Sequence, residues 1–224
     1  MGKTLNALAT NVPWLVGGSA DLAPSCKTRL TVDGAGDFNA ANPCGRNLHF
    51  GIREHAMSAI LNGLSLSKLR PFGSGFLILS DYARPALRLS ALMEIAVIHI
   101  FTHDSIGVGE DGPTHQPVEQ LASLRAIPGL ITIRPADANE VVAAWRVFME
   151  FRHEPVVLIL TRQAVPTFDR TRYGAAEGVR QGAYILADAD DGRPDVLLLA
   201  TGSEVSLCVD AHEQLRRRAS RLVS

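Results

Sequence analysis

Apolar runs of strand length, separated by helical patterns, constrain this 224-residue chain more than any other feature. The runs are WLVGGSA (14–20), AVIHIFT (96–102), LITIRP (130–135), VVLILTR (156–162) and VLLLATG (196–202). A weaker one is LRPFGSGF (69–76). Most are rich in Ile, Val and Leu with no polar alternation. A strand with one wet face alternates, whereas a strand covered on both faces does not. These runs therefore predict a parallel sheet between helical layers. Helical patterns occupy 55–66, 82–94, 118–126 and 138–151. Asp137 and Asn139 stand at the start of the last one, where a side-chain oxygen caps free backbone N–H groups. The alternation predicts an α/β fold, with right-handed crossovers and helices on both faces of the sheet.

Residues 1–166 read as one such domain. The stretch PTFDRTRYGAAEGVRQG that follows is polar, carries glycines and lacks periodicity, so 167–180 reads as a linker. Beyond it come AYILAD, VLLLATG and the helical SEVSLCVDAHEQLRRR. A lone strand–helix unit cannot cover the faces of a parallel sheet. Residues 181–224 are therefore expected to be the truncated start of a second α/β domain.

Composition removes several function classes. The chain is 46% hydrophobic and 20% charged, which is ordinary for a globular protein. A net charge of −1 leaves no electrostatic footprint for nucleic acid. Cys26, Cys44 and Cys208 are far apart and form no C-x-x-C pair. A disulfide framework and a cysteine zinc site are not expected, and a reducing cytoplasm fits. No long apolar stretch suggests a signal peptide or a membrane span.

The candidate site is the loop GEDGPTHQP (109–117). It follows the run that ends near Thr102, at the strand end where open α/β sheets bind ligands. A helix is expected to start near Pro117, since proline suits a first helical turn. Gly107, Gly109 and Gly112 permit sharp turns and close approach to a ligand. His103, Asp104, Glu110, Asp111 and His115 are expected to converge on one rim. Imidazoles there could move protons, and carboxylates could accept hydrogen bonds from sugar-like hydroxyls. Two other readings stand beside this one. The loop could be a solvated turn, or its acids and histidines could hold zinc or a metal pair, although no H-E-x-x-H spacing supports a metal. His99, inside an apolar run, reads as a structural core residue.

Several stretches resemble the transketolases, which are thiamine-diphosphate enzymes. They are GGSADLAPS (17–25), HFGIREHAMSAILNG (49–63), THDSIGVGEDGPTHQPVEQLASLR (102–125), RPADANEV (134–141), ILTRQ (159–163) and LLLATGSEVSL (197–207). Deoxyxylulose-phosphate synthases and the beta subunits of 2-oxo acid dehydrogenases have comparable segments. The full GEDGPTHQP together with GGSADL favours transketolase. The resemblance implies that Glu54 hydrogen-bonds N1′ of the cofactor's aminopyrimidine and so promotes loss of the thiazolium C2 proton. That role needs a carboxyl group held away from water. The resemblance also makes Phe76 and Tyr82 aromatic walls of the aminopyrimidine pocket. Leu79 stands where these enzymes usually carry a further stacking Phe, and it keeps the wall apolar without the ring contact. For the sugar phosphate, the resemblance implies that Ser25 and Arg162 hold the phosphate. Asp111 would accept a ketose hydroxyl, and His103 and His115 would orient hydroxyls or assist proton movement.

The implied reaction moves a two-carbon ketol unit from a ketose phosphate to an aldose phosphate, as in the pentose phosphate pathway. Family members bind the diphosphate, with Mg²⁺ or Ca²⁺, through a separate N-terminal domain carrying a GDG-type motif. The stretch VDGAGD (32–37) is too short and wrongly placed to serve as that motif. The resemblance therefore implies half a site with no metal ligand of its own. A transketolase N-terminal domain or an intact subunit would complete it in trans, in a cytoplasmic homo-oligomer. The alternative is a non-catalytic truncated fragment or dimerisation module.

Overall fold

The computed structural model describes residues 1–189 and 192–222. Its elements in chain order are α1 (Gly2–Asn11), β1 (Leu15–Ser19), α2 (Ala23–Cys26), β2 (Asn47–His49) and α3 (Glu54–Leu66). Then come β3 (Arg70–Phe76), α4 (Ser80–Leu92), β4 (Ile98–Thr102), α5 (Gln120–Arg125), β5 (Ile131–Ile133), α6 (Ala138–Glu150), β6 (Val156–Ile159) and α7 (Glu204–Leu222). The strands form one six-stranded sheet, ordered β2-β1-β3-β4-β6-β5, with every pairing parallel. This is the α/β architecture that the unbroken apolar runs imply.

Both faces of the sheet are covered. On one side Leu15, Phe72, Ile98, Ile100 and Val156 pack with Leu5 of α1 and Trp145 and Phe148 of α6. On the other, Phe101, Val157 and Ile159 meet Leu87 of α4 and Leu124 of α5, while Met57 and Leu61 of α3 close a third cluster. Every residue of β3 is buried, although its sequence is the least strand-like. Glycine explains part of this, because a Cβ on Gly73 would lie 2.4 Å from the Leu61 side chain. Helix α3 can lie close to the sheet only where that side chain is missing. Arg70, also in β3, donates to the carbonyls of Phe148 and Phe151. Burial, the larger effect, draws its pKa down to about 10.

The structure corrects several expectations. Helices α1 and α2 and the short β2 fall where no element was anticipated. The run 196–202 is not a strand. Val196, Leu197 and Leu199 are exposed, and among the described residues no strand lies beside them to share backbone hydrogen bonds. Of the two capping candidates only Asp137 caps, accepting from the Glu140 N–H at 2.9 Å. Asn139 lies inside α6 and donates to the Phe168 carbonyl. The connecting stretch 167–180 is no correction of this kind, but it packs on the domain it follows. Phe168 N–H donates to Asp137 at 2.9 Å, Arg170 pairs with Asp137 at 2.8 Å, and Val179 is buried against the main core.

Candidate active site

Each candidate residue leaves the carboxyl end of a strand. Ser25 follows β1 and Glu54 follows β2. Phe76 ends β3, with Leu79 and Tyr82 just beyond it. His103, Asp111 and His115 follow β4, and Arg162 follows β6. In a parallel sheet these ends share one edge, so residues far apart in the chain are delivered to the same side.

The loop after β4 is shaped by backbone constraints. His103 has φ of +60°, a left-handed conformation that is costly for a residue with a Cβ. Gly107 passes directly over Gln163, where a Cβ would lie 2.6 Å from the amide oxygen. Two short 3-10 turns follow, Ile106–Asp111 and Pro113–His115. Gly109 and Gly112, with φ of +78° and +76°, supply the bends that L side chains resist. The next helix starts at Gln120, so Pro117 lies outside it, contrary to the sequence reading. Gln120 organises that helix start instead. Its side chain accepts from Val118 N–H at 2.9 Å and donates to Asp81 of α4 at 2.8 Å.

The rings of Phe76 and His103 are stacked, with centroids 3.8 Å apart, and the ring of His115 meets the same Phe76 edge-on at 5.9 Å. Each histidine uses Nδ1 on a neighbouring threonine, His103 with Thr102 Oγ1 and His115 with Thr114 Oγ1, both at 2.9 Å. Burial, the largest effect, holds the His103 pKa below its ordinary value. The Asp111 carboxylate opposes this, while the charges of Arg162 and His115 reinforce it. His103, Asp111, His115 and Arg162 thus share one electrostatic neighbourhood, to which the buried Asp104 also adds its charge. Asp111, Arg162 and Ser25 are exposed, and His115 is half-buried.

Asp104 does not belong to this rim. Its side chain is 1% exposed and pairs with Arg134 Nε at 2.6 Å, so its role is structural. Glu110 is on the exposed loop surface.

Glu54 opens α3 and is 6% exposed. Among the described residues its carboxylate meets no hydrogen-bond or ion-pair partner from the protein, and neighbouring Arg53 instead donates to the Phe50 carbonyl. The helix N-terminus favours a negative group there, and a carboxylate without a protein partner can accept a hydrogen bond from a ligand. Phe76 is 7% exposed, Leu79 half-buried and Tyr82 65% exposed. Among the described residues no three His, Cys, Asp or Glu side chains cluster to hold a metal ion.

Sequence reasoning missed one feature. A groove of about 360 Å³ lies at the ends of β1 and β2, lined by residues that include Asp21, Arg29 and His49. Arg29 and His49 both bond Asp37, at 2.9 and 3.1 Å. Arg29, Asp37 and His49 are spread over 29–49 without a recognisable spacing, and only the neighbouring GGSADLAPS and HFGIREHAM stretches hinted at a site there.

Comparison with known proteins gives a consistent set of relatives. Residues 1–167 match the family described as the transketolase pyrimidine binding domain, and residues 182–224 match the transketolase-like C-terminal domain. The transketolase of Aquifex aeolicus is 53% identical over 218 residues, covering 97% of this chain and 31% of that protein. The crystal structure of Pichia stipitis transketolase with sedoheptulose 7-phosphate superposes with a TM-score of 0.89 at 42% identity, over 97% of this chain and 33% of that one. A split-gene transketolase, solved as an inactive beta4 tetramer, gives a TM-score of 0.59 at 32% identity, over 75% of this chain and 52% of that one. The chain spans about a third of the length of the curated relatives it matches.

Proposed function

The chain belongs to the transketolase family, and on that premise we propose that residues 1–166 form the pyrimidine half of a ketol-transfer site. Residues 167–180 connect this half to the start of a C-terminal domain at 181–224. A diphosphate-binding domain from outside these residues completes the site in trans and brings the divalent metal, Mg²⁺ or Ca²⁺. The observation that carries this reading is Glu54, a residue 6% exposed at a helix start whose carboxylate meets no protein partner among the described residues.

Thiamine diphosphate, when bound, supplies the carbon nucleophile and electron sink for breaking the bond beside a ketose carbonyl. The rest falls to this chain. Glu54 hydrogen-bonds the N1′ nitrogen and assists movement of its proton. Phe76, Leu79 and Tyr82 exclude water from the pyrimidine ring. Ser25 and Arg162 bind the sugar phosphate, the latter through the charge and paired donors of its guanidinium. Asp111 accepts a ketose hydroxyl. His103 and His115 orient hydroxyls and move their protons, His103 doing so as a neutral ring because burial disfavours its charged form. The net reaction passes a two-carbon ketol unit between sugar phosphates, the chemistry of the pentose phosphate pathway, in a cytoplasmic homo-oligomer.

The split-gene neighbour supports an arrangement in which the halves of such a site lie on separate chains. The test is ketol transfer by the purified chain with thiamine diphosphate and Mg²⁺, alone and mixed with a transketolase N-terminal domain. Turnover in the mixture alone is the expected result. A folded chain inactive in both conditions would favour a non-catalytic fragment or dimerisation module.

A further inference from the structure

We propose that Thr102 and Cys26 are positioning residues that fix His103 as its Nδ1–H tautomer and leave Nε2 as a free hydrogen-bond acceptor for a substrate hydroxyl. The inference deepens the reading of His103 as a site residue and rests on it for its functional meaning.

The argument follows a chain of hydrogen bonds beneath the site. His103 Nδ1 lies 2.9 Å from Thr102 Oγ1. Thr102 Oγ1 lies 3.4 Å from Cys26 Sγ. The Cys26 thiol donates to the Gly75 carbonyl at 3.5 Å. A carbonyl can only accept, so this last contact sets the direction of the others. With the S–H committed to Gly75, the sulfur is left to accept from the Thr102 hydroxyl. The Thr102 oxygen is then left to accept from His103, which places the proton on Nδ1. Burial keeps the Cys26 pKa raised, so the S–H is retained.

The surroundings hold the ring still. Cys26 is 1% exposed, Thr102 5% and His103 7%. The Phe76 ring lies against the imidazole, and the left-handed backbone at His103 fixes where the ring leaves the chain. A neutral ring with Nδ1 occupied offers its Nε2 lone pair. It would therefore take a hydrogen bond from a sugar hydroxyl and would not give one.

The test is heteronuclear NMR on the full chain labelled with ¹⁵N-histidine, with His103 assigned by the signal missing from His103→Gln. The expected pattern is a pyrrole-type Nδ1 and a pyridine-type Nε2. Thr102→Val should move the tautomer ratio roughly fivefold toward Nε2–H, the scale of one net hydrogen bond. Thr102→Ser should restore the ratio, and Cys26→Ala should shift it in the same direction as Val. A wild-type His103 protonated mainly on Nε2 would overturn the proposal. So would a folded Thr102→Val chain with an unchanged ratio. If Thr102→Val does not fold, the wild-type pattern and Cys26→Ala still decide. The experiment uses neither cofactor nor sugar, so its failure is distinct from failure of ketol transfer in the reconstituted mixture.

Discussion

Arg134 Nε donates to Asp104 Oδ2 at 2.6 Å, and the same guanidinium holds the Thr201 carbonyl at 2.8 Å and the Glu204 carboxylate. One side chain thus joins the end of β5, the residue after His103 and the start of α7. The Gly202 N–H returns a bond to the Arg134 carbonyl at 3.0 Å.

Removing that guanidinium leaves Asp104 buried and uncompensated, since its other oxygen already lacks a partner. Breaking a buried pair from one side costs about 3 kcal/mol or more. Arg134→Met should therefore lower the urea midpoint markedly and speed hydrogen exchange across residues 201–210. A midpoint equal to that of the wild type would refute the clamp.

Acid sensitivity follows from His99. Its ring is fully buried in β4, Nδ1 has no partner and Nε2 reaches Ser90 at 3.5 Å. Burial draws its pKa down to about 3. The unfolded chain binds this proton below about pH 6.5, while the folded chain refuses it until about pH 3. The contribution is complete above pH 6.5 and is lost as pH falls through that window, by about 1.4 kcal/mol per unit. His99→Leu should flatten the acid limb of the stability–pH curve by one proton. Identical limbs in the two chains would contradict this.

The sheet was legible because β1, β3, β4, β5 and β6 each carry an apolar run and a covered strand shows no alternation. β2 was not, because Asn47–His49 is too short and polar to register. α1 was not, because only Leu5 and Ala9 of its ten residues are buried. The run 196–202 misled because an apolar composition does not supply a neighbouring strand. At the site, the residue types and their strand-end positions could be read. The left-handed backbone at His103 and the partner of Asp104 could not, since Arg134 lies thirty residues away with no local signal.

Leu79 offers a test of cofactor packing. It is half-buried in the turn after β3, where a phenyl ring could add about 0.5–1.5 kcal/mol of ring–ring preference. Leu79→Phe should tighten thiamine diphosphate by roughly twofold to tenfold in the reconstituted mixture. A cofactor titration showing weaker binding would mean that the pyrimidine ring does not lie against this turn.

Solution behaviour is a further test. Ile52, Tyr82, Leu92 and Val118 are 79%, 65%, 67% and 85% exposed, around α3, α4 and the site loop. Large apolar side chains this exposed favour association where they adjoin. Light scattering should show self-association that rises with concentration. A monodisperse monomer at high concentration would argue against it.

Glu54 provides the most direct measurement. Because its carboxylate serves no protein partner, Glu54→Gln should leave the urea midpoint within about 0.5 kcal/mol of wild type. Ketol transfer in the mixture with an N-terminal domain should fall by roughly a hundredfold or more, the scale of lost proton-transfer assistance. A Glu54→Gln chain that kept full activity in that mixture would contradict the account.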